Sequence, residues 1–317
     1  MAVTTTLAQP GEFAEITAFC GKWLSADPRY FELRMALDPT MRRDRILAAR
    51  DGDTLVSTAR LFDIGIMMGD RTIKCAGIGD VCTDKGWRGK GLATKLLIEA
   101  HRVAQEDGYP LTALGTEHHD FYRRVGYECW KRMETIFTLR TGPASPPAGV
   151  RRIDFVRDLG LLRRIYGSWT PRLAAYPFRR PEFWEHHHKW TSYHPGEDPT
   201  LALIAGENAY VRTSSWGDAV KVIEFGCSAN PGLEALADAL AGEALKRKDG
   251  RIRVPVVCRE LAGLLQARSV SAESSGDLSL MLRIADPNAL EQAAGGLWKK
   301  GEMVPPPGSH FWETDGW

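Results

Sequence analysis

Val81-Cys82-Thr83-Asp84-Lys85-Gly86-Trp87-Arg88-Gly89-Lys90-Gly91-Leu92-Ala93-Thr94 is the most informative stretch of this chain. The residues before it, Lys74 to Thr83, read as a strand. Those after it keep a helical period, with Leu92, Leu96, Leu97, Ala100 and Val103 on one side. A strand therefore feeds a Gly-rich turn that opens directly into a helix. The first turn of a helix carries unpaired N–H groups and the positive end of its dipole. Glycines let an anion approach that backbone closely, and Arg88 and Lys90 add charge. The stretch is an anion cradle suited to a diphosphate. It is not a Walker A loop, because Asp84 stands where the first glycine belongs and Gly91 follows Gly89-Lys90 in place of Ser or Thr. It fits a dinucleotide fingerprint poorly, since Thr94 replaces the third small residue. On these residues alone, a turn that merely starts a helix stays open.

Upstream, Phe13, Ile16, Phe19, Cys20 and Trp23 give Glu12 to Leu24 a helical stripe, and Arg45–Arg50 and Thr54–Phe62 flank the turn Asp51-Gly52-Asp53 as two strands. Downstream, Tyr109 to Gly115 reads as a strand. Phe121-Tyr122-Arg123-Arg124 is a helical turn closed by Val125-Gly126-Tyr127, and Arg132 to Arg140 is the last strand of this half. Thr141 to Gly149 is rich in Pro, Gly and small residues and reads as a linker. The second half repeats the pattern more faintly. Helices are expected at Leu159–Ala174, Pro181–Trp190, Leu233–Lys246 and Arg259–Ala267, with strands at Leu201–Ala205, Asn208–Ser214, Val220–Cys227, Ile252–Val257 and Leu278–Ile284. Between Cys227 and Leu233 no Gly-rich cradle occurs. The division is thus residues 1–141, a linker at 142–150, a second domain at 151–298 and a tail at 299–317, two domains being what a chain of 317 residues favours.

The charges nearly cancel, with 41 Lys and Arg against 40 Asp and Glu, which argues against a strongly basic nucleic-acid binder. No apolar run reaches membrane-spanning length, and the N-terminus lacks the basic and apolar regions of a secretory signal. The six cysteines form no Cys-x-x-Cys pair, so neither a disulfide framework nor a zinc knuckle is encoded. A cytoplasmic chain with reduced thiols is the expectation. His186-His187-His188 is no metal site, because consecutive helix residues point about 100° apart. The short basic runs Arg42-Arg43-Asp44-Arg45 and Lys246-Arg247-Lys248 read as solvated faces.

Taken in order, the strand, the turn Arg88-Gly89-Lys90-Gly91-Leu92-Ala93, the helix, the next strand and Tyr122-Arg123-Arg124-Val125-Gly126-Tyr127 resemble the GNAT (Gcn5-related N-acetyltransferase) superfamily. Its motif, Gln/Arg-x-x-Gly-x-Gly/Ala, has Arg88, Gly91 and Ala93 at the defining positions. The wider order of features is similar to Eis-type (enhanced intracellular survival) acetyltransferases. Thr116-Glu117 and Tyr122 to Tyr127 match one of their segments, with one extra residue between Glu117 and Tyr122, and Arg179-Arg180-Pro181-Glu182-Phe183-Trp184 matches their Arg-Pro-x-x-Trp-Trp element. After Ile284 too few residues remain for the sterol-carrier-like third domain that many such proteins carry.

The resemblance implies an α/β (α+β) tandem GNAT fold. Each domain would be a mixed, mostly antiparallel sheet flanked by helices, the first catalytic and the second degenerate. It implies acetyl-CoA as co-substrate, an amine acceptor, direct attack in a ternary complex and no metal. Acetyl-CoA would be held by Val81, Cys82, Thr83, Arg88, Gly89, Lys90, Gly91, Leu92, Ala93, Thr94 and Thr116. Tyr122 would give a proton to the leaving thiolate. The base would be the C-terminal carboxylate at Trp317, carried into the cleft by an aromatic tail, with Asp80, Glu117, His118 and His119 as rivals. A non-catalytic acyl-CoA sensor or partner-binding module is the competing class. No nucleic-acid or membrane partner is expected, and assembly of like chains stays open.

Overall fold

The computed structural model describes residues 3–24, 26–191, 193, 201–215, 219–230 and 232–312. The chain runs β1 (Thr4–Leu7), α1 (Phe13–Leu24), α2 (Pro28–Leu37), β2 (Met41–Asp51), β3 (Thr54–Met68), β4 (Arg71–Thr83), α3 (Leu92–Glu106), β5 (Leu111–Gly115), α4 (His119–Arg123), β6 (Glu128–Cys129) and β7 (Arg132–Leu139). It continues through β8 (Val150–Arg152), α5 (Leu159–Trp169), β9 (Tyr176–Phe178), α6 (Pro181–Thr191), β10 (Leu203–Ala205), β11 (Ala209–Ser214), β12 (Ala219–Cys227) and α7 (Leu233–Leu245). β13 (Arg251–Pro255), α8 (Arg259–Gln266), β14 (Ser269–Asp277), β15 (Leu280–Ile284) and α9 (Pro287–Ala293) complete it.

Two mixed sheets result, each covered by helices. The first has the order β1-β2-β3-β4-β5-β15-β6, with β9 added to β3; the second has the order β14-β7-β13-β12-β11-β10-β8. Each contains one parallel pair, β4 with β5 and β12 with β13, bridged by α3 and α7 respectively. The first sheet has two apolar faces. Ile16, Cys20, Phe31 and Met35 of α1 and α2 pack on one. Leu92, Leu96, Leu97 and Ala100, the stripe read from the sequence, pack on the other against Val56, Leu61 and Ile78.

The linker does not separate the two sheets. β7, read as the last strand of the first half, pairs with β13 and β14 in the second sheet. β15, read as a strand of the second half, lies between β5 and β6 in the first. The halves have exchanged strands, and the boundary at 141 does not follow the sheets. Burial explains the exchange: Phe137 and Leu139 complete the second core, while Leu280 and Leu282 fill the first. The linker itself is pinned to α7. A Cβ on Gly142 would lie 2.7 Å from the Gly242 nitrogen, so only two facing glycines permit that approach. Alternation did not reveal β14, whose polar strand is mostly exposed.

The tail closes both cores. Phe311 packs edge-on against Trp130 with centroids 5.0 Å apart, and Trp312 lies 5.5 Å from Trp169. Arg132 donates to the Phe311 carbonyl at 2.7 Å. Phe311 belongs to the first core and Trp312 to the second, so two consecutive residues stitch the halves together.

Candidate active site

β4 and β5 are hydrogen-bonded only from Cys75 to Gly77 and from Leu111 to Ala113. Beyond these residues the strands part, and β5 takes β15 as its other neighbour. Among the described residues no strand pairs with the β4 edge from Ile78 to Thr83 on that side. A bulge accompanies the opening. Thr58 pairs with Cys82 and Arg60 with Gly79, so Asp80 and Val81 together oppose Ala59. Asp80 holds φ +51, the one positive value at a non-glycine among the described residues. A bulge of this kind re-aims the strand that follows it.

That strand leads into the cradle. Asp84 accepts from the Gly86 N–H at 2.8 Å and fixes a 3-10 turn over Lys85–Trp87. Gly89 and Gly91 then adopt φ +77 and +75, and Gly91 caps α3. The Gly91 carbonyl accepts the first helical bond, from Lys95 at 3.0 Å. The N–H groups of Leu92, Ala93 and Thr94 accordingly have no partner within the helix and point out of its end. A Cβ built on Gly89 or Gly91 would meet nothing, so the approach to this backbone is open. The corresponding end of α7 is closed: a Cβ on Gly232 would lie 2.8 Å from the Ala205 carbonyl oxygen. The start of α7 therefore offers no comparable open approach to its backbone.

These parts line one cleft of about 640 Å³. Val81, Cys82 and Thr83 come from the open strand edge. Arg88, Gly89, Gly91, Leu92, Ala93 and Thr94 come from the turn and helix, and Tyr122 from α4. Trp23 and Leu24 at the end of α1, together with Trp87, His118, Phe121 and Arg124, complete the wall. Among the described residues no carboxylate lines it, while Arg88 and Arg124 do, which favours an anionic ligand. Arg88 donates through Nε to the Thr83 carbonyl at 3.2 Å, which orients its guanidinium.

Tyr122 is almost fully buried, its ring edge-on to Phe121 at 4.9 Å and to Tyr127 at 5.9 Å. Burial, with a smaller contribution from nearby Cys82, pushes its phenol up to about 12, so it stays protonated at neutral pH. The extra residue before it leaves it on the cleft wall.

Other expected site residues lie elsewhere. Asp80 does not line the cleft. Its side chain is 7% exposed and sits 3.2 Å from the fully buried guanidinium of Arg60, so the bulge turns it into a structural ion pair. Lys90 lies off the wall, with its ammonium 4.0 Å over the Trp87 ring. Thr116 also lies off the wall, where its hydroxyl accepts from the His118 N–H at 2.9 Å. Of the other rival bases, His118 lines the cleft and Glu117 and His119 do not. Trp317 lies outside the described residues. The three consecutive histidines diverge: His186 meets Lys189, His187 meets buried Arg212, and His188 stacks on Phe155. Trp23 and Leu24 were missed as cleft residues. Their helical stripe was visible, but its docking beside β4 was not.

Residues 6–130 match the family model of the acetyltransferase (GNAT) domain. The residues that line the cleft all fall within this stretch. A N-acetyltransferase of Streptomyces griseus, described as uncharacterized, is 24% identical over 200 residues, 55% of this chain and 47% of its own length. The chain thus spans about half the length of the curated relatives it matches. Among solved structures, a GCN5-related N-acetyltransferase from Kribbella flavida superposes with a TM-score of 0.62 at 20% identity, over 92% of this chain and 73% of that one. Eis1 from Mycobacterium abscessus gives 0.61 at 16% identity, over 92% and 76%. Both cover nearly the whole chain, and the mixed fold with two helix-flanked sheets is theirs as well.

Proposed function

We propose that the chain transfers an acetyl group from acetyl-CoA to an amine by direct attack in a ternary complex. The observation that carries this reading is the meeting, in one cleft, of an open strand edge, an open helix N-terminus and a buried phenol. The diphosphate would rest on the N–H groups of Gly89 to Thr94 beside Arg88. The pantetheine arm would pair with the β4 edge at Val81 to Thr83, as a further strand would. Backbone N–H groups on that edge would take the charge that develops on the thioester oxygen. Tyr122 would donate its proton as the carbon–sulfur bond breaks, which leaves neutral CoA thiol.

The ammonium of the acceptor must lose a proton before attack. His118 is the rival base that lines the cleft, and the carboxylate at Trp317 remains the other proposed base. Kinship to Eis-type enzymes is part of the same proposal; the exchanged strands and aromatic tail support a clamped two-domain body in which the second half could wall the acceptor side.

Thiol release from acetyl-CoA, followed against a panel of amines with native protein, Tyr122→Phe, His118→Gln and a chain lacking Gly316 and Trp317, tests the reading. Turnover lost in Tyr122→Phe supports it, and the other two variants divide the base between His118 and the tail. Calorimetric binding of acetyl-CoA without turnover on any amine turns the balance to an acyl-CoA sensor. No binding at all sinks both.

A further inference from the structure

One wall of the cleft carries chemistry that acyl transfer does not use. The sulfur of Cys82, on β4, lies 3.9 Å from that of Cys20, on α1, in the one thiol–thiol hydrogen bond among the described residues. The two are 62 residues apart in sequence and come from different elements. Arg60, fully buried, donates from Nη2 to the Cys20 sulfur at 3.1 Å, while its Nη1 lies 3.2 Å from Asp80 Oδ2. The Thr58 hydroxyl lies 3.4 Å from Cys82 Sγ and 3.6 Å from Cys20 Sγ. A buried guanidinium beside a thiol favours the thiolate, and two sulfurs in contact let each oxidise against the other. Cys82 lines the cleft, whereas Cys20 is wholly buried behind it. An oxidant small enough for the cleft therefore meets Cys82 first.

We propose that Cys20 and Cys82 are a redox-active dithiol, which a peroxide converts to a disulfide and a dithiol reductant restores. Hydrogen bonding from Cys82 and the Arg60 charge lower Cys20, against the opposing effects of burial and Asp80, and the bond to Cys20 together with burial raises Cys82, so the shared proton rests on Cys82 until an oxidant arrives. In the first step that proton passes to Cys20 and the Cys82 sulfur attacks a peroxide oxygen. The S–O bond forms, the O–O bond breaks, and the leaving hydroxide takes the proton back from Cys20 and departs as water. In the second step Cys20, deprotonated again, attacks the sulfenic sulfur. The S–S bond forms, the S–O bond breaks, and the oxygen leaves as hydroxide, which a solvent proton converts to a second water. Two thiols lose two electrons, and one hydrogen peroxide becomes two waters.

The bond has a mechanical consequence. A disulfide holds its sulfurs about 2.05 Å apart, far less than the present separation. Closing the gap draws α1 toward β4. Trp23 and Leu24, in the next turn of α1, line the cleft, so oxidation narrows it. This last effect rests on the acetyl-CoA reading of the cleft; the disulfide does not.

The test treats the native chain with hydrogen peroxide, blocks the remaining thiols, and maps the cross-link by digestion and mass spectrometry. Acetyl-CoA binding is measured by calorimetry on reduced, oxidised and re-reduced protein. A Cys20–Cys82 linked peptide that dithiothreitol removes, with binding at least about tenfold weaker in the oxidised form, is expected. Cys20→Ser, whose side chain lies outside the cleft, should bind as the reduced protein does and lose the response. Cys20→Ala serves if serine disturbs the apolar site, and the cross-link map on the native chain needs neither. Six free thiols after oxidation, or a link between other cysteines, overturns the dithiol. A link that leaves binding unchanged overturns the gating. Reduced protein that fails to bind acetyl-CoA removes the acyltransferase reading while the cross-link result stands on its own.

Discussion

Replacing Tyr122 by Phe removes one oxygen and leaves the ring, so it separates acid catalysis from packing. The edge-on contacts with Phe121 and Tyr127 involve the ring alone, and the melting temperature should change little, within about 0.5 kcal/mol of stability. The catalytic loss can be sized. Positioned general acids contribute roughly 10²–10⁴-fold. Here burial raises the phenol from 10 to about 12, a difference of about 3 kcal/mol between its two forms. If about half of that is felt when the proton is half transferred, Tyr122 is about tenfold less effective than an unshifted phenol. The expected fall in kcat is therefore about 10–10³-fold, or roughly 1–4 kcal/mol, with the KM for acetyl-CoA within about twofold. Thiol release at saturating acetyl-CoA and acceptor measures it. The raised value also fixes a pH expectation: the phenol stays protonated through the usual tyrosine range, so native activity shows no basic limb of its own near pH 10. A kcat within threefold of native would refute the acid role, and a basic limb near pH 10 that vanishes in Tyr122→Phe would refute the shift.

Asp80→Asn should act on stability more than on chemistry. It leaves the buried Arg60 charge unpaired at about 3–5 kcal/mol, read by denaturant melts, with kcat near native in the folded fraction; a collapse of kcat at full stability would return Asp80 to the list of bases. Gly91→Ala meets no neighbour but is held at φ +75, so it should cost about 1–2 kcal/mol of stability and weaken acetyl-CoA binding, whereas unchanged binding by calorimetry would argue against the cradle. His101 is buried beside Tyr127, and burial lowers it from 6.5 to about 4. Its folded value lies below its unfolded one, so it contributes stability above pH 6.5 that is lost as the pH falls through 4, up to about 3 kcal/mol. His101→Phe should flatten that part of the acid unfolding curve. Trp312→Ala removes a fully buried ring from the second core and should cost about 3–5 kcal/mol, seen as a lower melting temperature; a smaller cost would mean that the tail does not stitch the halves.

The local chemistry of the site was legible in the chain because it is carried by consecutive residues. The strand, the turn with Gly89 and Gly91 and the helix from Leu92 follow one another in sequence, and sterics and helix dipole act over the same few residues. Tyr122 was legible through the short segment that resembles a known family, and the closed end of α7 through the lack of a cradle before Leu233. Pairing across the molecule was not. An apolar strand states that it will be buried but not beside which partner, so Arg132–Leu139 and Leu280–Ile284 gave no sign that they would exchange sheets. The same holds for side-chain direction. Asp80 could be seen on the motif strand, but the bulge opposite Ala59 aims it at Arg60, and only the folded chain makes that bulge. Cys20 and Cys82 likewise meet because α1 packs against the first sheet, over a separation no local pattern encodes. The sequence determined by itself most of the longer elements, the cradle and the acid candidate, because propensity, turn sterics and backbone charge are short-ranged. The tertiary structure decided which strands pair, which charges are buried together and which thiols touch, because these depend on contacts between residues the chain keeps far apart.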